Sequence, residues 1–105
     1  MTDKIYSVDE ISRIVAPIAK RHGLSHVALF GSYARGTATA GSDVDLCVGA
    51  SEIKGLFALG GLYSELEDAL GKRLDLVTER SLELSDDRAF VDRLRKDQVM
   101  IYERS

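Results

Sequence analysis

Short apolar runs alternate with longer segments of helical periodicity, and this alternation constrains the fold more than any other feature of the sequence. Strands are predicted at residues 27–30, 44–48 and 73–78, with a last short strand or docked tail at 99–102. Helices are predicted from a capping box at Ser7 to a stop at Gly23, and at 32–35, 53–70 and 82–96. The order predicts an α/β (α+β) fold with a small mixed sheet flanked by helices.

Length and charge narrow the classes of protein to be considered. A chain of 105 residues predicts a single domain over residues 1–105. The formal net charge of −3 disfavours direct nucleic-acid binding, which usually needs a basic face. Because the sequence starts with polar residues and lacks a long apolar stretch, we expect neither a signal peptide nor a membrane span. With Cys47 as the single cysteine, we expect a reduced, cytoplasmic setting.

Three aspartates are the candidate chemical groups. Asp43 and Asp45 are two residues apart on a predicted strand, so both carboxylates project from one face. Asp75 is a lone acid in another apolar strand, and adjacent strands would bring it within ~5 Å of that pair. Such carboxylates suit Mg²⁺, and three of them could hold two ions ~3.5–4 Å apart for nucleotidyl transfer. We also expect Asp75 to act as a general base.

A second motif precedes the acids by ten residues. Gly31-Ser32 follows a predicted strand and begins a short helix, a place where backbone amides and a hydroxyl favour phosphate. Arg35 shares the helical face of Ser32, so it is a candidate to contact phosphate or to orient the aspartates. Ser42 precedes the first acid and is a candidate local cap or phosphate donor. These four residues are the predicted nucleotide-binding set.

The two blocks Gly31-Ser32-Tyr33-Ala34-Arg35-Gly36 and Ser42-Asp43-Val44-Asp45-Leu46 resemble the signature of the DNA polymerase β-like nucleotidyltransferase superfamily. In particular, the sequence looks like the minimal nucleotidyltransferase (MNT) antitoxins of HEPN–MNT toxin–antitoxin pairs, whose third aspartate corresponds to Asp75. The resemblance implies Mg²⁺-ATP as donor and transfer of AMP to a tyrosine of a HEPN ribonuclease toxin. It also implies a hetero-oligomer with that toxin. The turn before Ser42 departs from the family, which commonly has a proline there.

Other interpretations of the same residues remain open at this stage. Asp-x-Asp alone is often a solvent-facing pair on an edge strand, and Ser32 could be a plain helix cap. Cys47 alternates with the acids, but a buried core thiol is the expected role. For function, the alternatives are an antitoxin that acts by binding without catalysis, and an aminoglycoside-type enzyme. The latter generally has a further domain, which a chain of this length is not expected to contain.

Overall fold

A computed structural model describes residues 2–49 and 55–104. The first four elements alternate between helix and strand, as the helix-capping residues and the apolar periodicity predict. The elements are α1 (Val8–Arg21), β1 (His26–Phe30), α2 (Gly31–Arg35), β2 (Val44–Gly49), α3 (Gly55–Leu70), β3 (Leu74–Thr78), α4 (Glu79–Glu83), α5 (Arg88–Asp97) and β4 (Val99–Glu103). The start of the predicted helix at 53–54 lies outside the described residues. The final apolar segment forms a strand.

The described strands form one mixed sheet in the order β3-β2-β1-β4. The central strand β1 pairs antiparallel with both β2 and β4, whereas β2 pairs parallel with β3. The short connection from β1 to β2 permits the antiparallel pair, and α3 provides the crossover that a parallel pair requires. The predicted mixed sheet flanked by helices is therefore confirmed.

Alternate residues of β2 face two different apolar layers. Val44, Leu46 and Val48 pack with α1 and α3 in the larger core. Cys47 faces the opposite side, where Leu82, Val91 and Leu94 of α4 and α5 cover the sheet. Asp45 shares the parity of Cys47 and therefore projects on the α5 side. None of the helices in the described part of the chain is long and apolar enough to cross a membrane.

The first helix is bounded by the residues that the sequence indicated. The Ser7 hydroxyl accepts a hydrogen bond from Glu10 N at 3.1 Å, and Ser7 N donates to the Glu10 carboxylate at 3.0 Å. Gly23 has a φ of 70°, the left-handed conformation that ends helices. Ser7, Glu10 and Gly23 therefore act as predicted.

The segment 82–96 is not one helix, so that prediction was wrong. It begins in α4, which Thr78 caps by accepting from Ser81 N at 3.1 Å. The chain then breaks, and Asp87 starts α5 by accepting from Phe90 N at 3.1 Å. Aspartate at an N-cap satisfies an unpaired helical amide. The prediction of a single helix did not allow for this second cap.

Candidate active site

Asp45 and Asp75 are register partners on the adjacent parallel strands β2 and β3. Residues in this relation point to the same face of a sheet, so the two carboxylates are neighbours. Asp45 is half-buried and Asp75 is exposed. Partial burial raises the pKa of Asp45 to about 6, with further contributions from the charges of Asp75 and Asp43; the charge of Arg35 opposes them. The pair concentrates negative charge at one point of the sheet surface.

Asp43 is exposed and lies one residue before β2, on the loop that follows α2. Its charge reaches Asp45, so all three predicted aspartates contribute to one electrostatic cluster. Within residues 2–49 and 55–104, no three His, Cys, Asp or Glu side chains are arranged to hold a metal ion. The carboxylate oxygens and their mutual repulsion nevertheless fit Mg²⁺. The assignment of these aspartates as metal ligands stays a prediction.

Gly31 lies directly against the carboxylate of Asp45. Its φ is 74°, and a Cβ at this position would overlap Oδ2 of Asp45. Glycine is therefore required for two reasons: the backbone has a positive φ, and the Asp45 carboxylate occupies the space that a side chain would need. Ser32 follows it in the first turn of α2 and is partly exposed. The predicted phosphate-binding pair thus adjoins the acid cluster.

Arg35 ends α2 and makes an ion pair with Asp97 of α5, with Nη1 3.3 Å from Oδ2. Gly31, Arg35, Asp45, Asp75 and Asp97 border a cavity of about 360 Å³. Its other walls come from β1 and α5, namely Phe30, Phe90, Arg93 and Leu94. The positive charge of Arg35 favours the ionised form of Asp45. The predicted role of Arg35, to contact phosphate or to orient the aspartates, stays a prediction.

Ser42 acts as a local cap. Its hydroxyl accepts a hydrogen bond from Thr39 N at 2.8 Å, and its own amide donates to Thr39 O at 3.0 Å. Ser42 and Asp43 border a second cavity of about 390 Å³, together with Lys72 and Arg73. The three aspartates therefore face two cavities, with Asp43 in one and the Asp45–Asp75 pair in the other.

Sequence reasoning missed several residues around the site. Phe90 packs edge-to-face on Phe30, with ring centroids 6.3 Å apart, and Arg93 extends the positive charge of the wall. Only their position on α5 brings them to the cavity, because nothing in the periodicity places that helix over Asp45. Val91 and Leu94 of the same helix are buried against the sheet.

Glu79 is a second missed residue and connects three elements. Its carboxylate bonds Arg95 at 2.7 and 3.0 Å, lies 3.1 Å from Nε2 of His26 and accepts from Cys47 Sγ at 3.4 Å. The hydrogen bonds from Arg95 outweigh burial and lower the pKa of Glu79 to about 2. Burial raises the pKa of the Cys47 thiol to about 12, so the expected inert core thiol is observed. Glu79 fixes α5 on the sheet.

The remaining ambiguous residues have structural surroundings. Tyr33 is buried in the larger core, so its ring has no exposed face on which a base could stack. His22 contacts Glu65, with Nε2 2.8 Å from the carboxylate. His22 and His26 each bond a carboxylate, as expected of ordinary histidines.

The fold and the clustered aspartates define the class of the protein as a nucleotidyltransferase. A family model for the nucleotidyltransferase domain matches residues 9–102, and the chain belongs to that family. The recognition of the family from its two motif blocks is thereby confirmed. The chain is accordingly a nucleotidyltransferase enzyme.

Relatives and solved structures place the chain among the minimal members of the nucleotidyltransferase family. It is 41% identical over 76 residues to MJ0435 of Methanocaldococcus jannaschii, a candidate protein adenylyltransferase, covering 72% of this chain and 82% of the relative. It is 39% identical over 80 residues to the protein adenylyltransferase MntA of Thermococcus cleftensis, with 72% and 81% covered. A candidate minimal nucleotidyltransferase structure, 30% identical, superposes with a TM-score of 0.69 over 90% of this chain and 95% of that one.

One further neighbour bears on the fold alone. It is a toxin–antitoxin structure with AMP-PNP, 24% identical, which superposes with a TM-score of 0.70 over 90% of this chain and 74% of that one.

Proposed function

We propose that this chain is an antitoxin that transfers AMP from Mg²⁺-ATP to a tyrosine of a HEPN ribonuclease toxin. The observation that carries the proposal is the pairing of Asp45 with Asp75 across β2 and β3, beside a glycine that leaves room for the Asp45 carboxylate. Two relatives named as protein adenylyltransferases support the same chemistry. We place the protein in the cytoplasm, where a nucleoside triphosphate donor is available.

Each predicted residue has a role in this reaction. Asp43, Asp45 and Asp75 would hold Mg²⁺, with two ions expected, which supplies positive charge for the triphosphate and lowers the pKa of the acceptor hydroxyl when bound. Gly31 and Ser32 border the triphosphate, and Ser32 donates to one of its oxygens. Arg35 and Ser42 are the further phosphate-side candidates; Ser42 also caps its own loop.

We assign to Asp75 the role of receiving the acceptor proton. It is exposed at the surface of the edge strand β3, whereas its partner Asp45 is half-buried. An incoming tyrosine hydroxyl therefore reaches Asp75 first. The tyrosine oxygen attacks the α-phosphorus, its proton passes to Asp75, and the bond from the α-phosphorus to the bridging oxygen breaks to release pyrophosphate.

The toxin supplies both acceptor and partner. Solved neighbours include an AMP-modified HEPN toxin of Shewanella oneidensis in complex with an MNT antitoxin, whose fold this chain shares with a TM-score of 0.64 at 21% identity. We propose the same kind of hetero-oligomer here. No direct contact with nucleic acid is needed, since the modified group is a protein side chain.

Intact-mass spectrometry of the cognate HEPN toxin tests the proposal. After incubation with this chain, ATP and Mg²⁺, the toxin should gain the mass of one or more AMP units, and Asp43→Asn should abolish the gain. A stable complex without added mass would instead establish neutralisation by binding. Transfer of AMP to an aminoglycoside by this chain alone would establish a small-molecule enzyme.

A further inference from the structure

Within residues 2–49 and 55–104, Lys72 is the one charged residue that is fully buried, with 3% of its surface exposed. It follows Gly71 at the end of α3 and precedes β3, the strand that bears Asp75. Burying an ammonium group is costly unless it is hydrogen-bonded. Its burial therefore indicates a specific task for the side chain.

The partner of Lys72 is a backbone carbonyl on the loop that leads to Asp43. Nζ of Lys72 donates to Ala40 O at 2.8 Å, across 32 residues of sequence. The loop spans residues 36–43 and contains Gly36, at a φ of 77°, and Gly41, which has open space where a side chain would be. A loop of such small residues needs an external contact to hold one conformation.

Asp43 depends on that loop more than Asp45 does. Asp45 lies within β2 and pairs with Phe30 on one side and Asp75 on the other. Asp43 precedes the parallel ladder, which begins at Val44, whose amide donates to Arg73 O at 2.9 Å. Lys72 and Arg73 thus tie both ends of the residues 40–44 to the start of β3.

We propose that Lys72 is a positioning residue that sets Asp43 against Asp45 and Asp75 through the Ala40 carbonyl. The inference rests on the proposed function, because it concerns the alignment of the same three carboxylates. A hydrogen bond from the turn before the strand of Asp75 to the loop of Asp43 fixes the two outer members of the cluster relative to each other. A catalytic constellation displaced by about 1 Å loses on the order of 100-fold in rate.

Lys72→Met separates positioning from folding. Methionine is unbranched and of similar length, so it fills the same space without the charge, but the Ala40 carbonyl loses its donor. The Tm should therefore fall by only a few degrees, which leaves the variant folded. AMP transfer to the HEPN toxin should nevertheless fall on the order of 10- to 100-fold, mainly in kcat, with a higher Mg²⁺ concentration needed for half-maximal rate. Lys72→Arg keeps a donor and should restore much of the rate.

A second readout needs no activity. Amide hydrogen exchange of the isolated chain should be faster at Thr39 and Ser42 in Lys72→Met than in the wild type, and close to wild type in Lys72→Arg. Lys20→Met, a change at an exposed lysine of α1, is the matched control and should alter neither readout.

The outcomes are distinguishable from those of the proposed function. No transfer by the wild-type chain would count against the proposed function, while unchanged exchange at Thr39 and Ser42 in Lys72→Met would overturn the role of Lys72. Equal transfer by wild type and Lys72→Met would overturn that role alone. If Lys72→Met does not fold, Lys72→Arg provides the test. A folded Lys72→Arg variant with fast amide exchange at Thr39 and Ser42 but a wild-type rate of AMP transfer would also overturn the positioning role of Lys72.

Discussion

The Cβ that Gly31 lacks would overlap Oδ2 of Asp45. This relation joins the two motif blocks of the sequence physically, because β1 and β2 are antiparallel neighbours and Phe30 is the register partner of Asp45. The strand pairing thus brings Gly31 of the first block into contact with Asp45 of the second. The Asp45 carboxylate can occupy its position only because Gly31 has no side chain.

Gly31→Ala should therefore remove nucleotide binding and destabilise the chain. Alanine pays about 1 kcal/mol for the positive φ, and its methyl group additionally displaces Asp45. We expect Mg²⁺-ATP affinity, measured by calorimetry, to fall at least tenfold. Gly36→Ala is the matched control, since Gly36 has a similar φ of 77° but open space around it. Equal loss of affinity in both variants would show that strain alone, not the Asp45 contact, is responsible.

Asp45→Asn should stabilise the metal-free chain at neutral pH. The pKa of Asp45 is raised from 3.8 to about 6, so the folded state retains a proton that the unfolded state has lost. Stability then falls as pH rises from 3.8 to 6 and stays low above it. Two pKa units correspond to about 3 kcal/mol, which solvent screening of the half-buried group reduces to roughly 1–2 kcal/mol.

Urea denaturation with and without Mg²⁺ checks that prediction. In the presence of Mg²⁺ the wild type should gain stability, because the ion binds the folded state, whereas Asp45→Asn should gain little. Asp43→Asn, at an exposed position, should stabilise the metal-free chain less. A destabilised Asp45→Asn chain without metal would contradict the cost of keeping this half-buried carboxylate charged beside Asp75 and Asp43.

Glu79→Gln should destabilise the chain through the contact between α5 and the sheet. The pKa of Glu79 is lowered from 4.5 to about 2, so its contribution is present above pH 4.5 and is lost as pH falls towards 2. We expect a loss of about 2 kcal/mol at neutral pH, since the hydrogen-bonded carboxylate is mostly buried and charge-paired with Arg95. The difference in unfolding free energy between wild type and variant should shrink below pH 4.5. Glu103→Gln, on the exposed part of β4, is the control.

Much of the architecture followed from local signals. The capping box at Ser7, the alternation in β2 and the final apolar strand were each predictable, because they depend on neighbours in sequence. The break between α4 and α5 was missed, although Ser85-Asp86-Asp87 is a cluster typical of a helix start. The prediction of one helix rested on the apolar face of Phe90, Val91 and Leu94, which lies wholly within α5.

The site was predictable in its acids and less so in its surroundings. Asp43 and Asp45 follow from a period of two, and the proximity of Asp75 from its strand, once β2 and β3 are neighbours. Lys72 and Glu79 could not be assigned, because charged residues are normally exposed and only tertiary contacts bury them. Tyr33 likewise gave no signal that would separate a buried from an exposed side chain.

The most direct test of the central claim follows the label of ATP into the toxin. The purified chain is incubated with its HEPN toxin, Mg²⁺ and ATP carrying ³²P at either the α- or the γ-phosphorus. Label from the α-position alone should appear on the toxin, and Asp75→Asn should reduce its rate by two orders of magnitude or more while the complex still forms, because the variant lacks the proton acceptor. Label from the γ-position, or none from either with a stable complex, would contradict AMP transfer as the function of this chain.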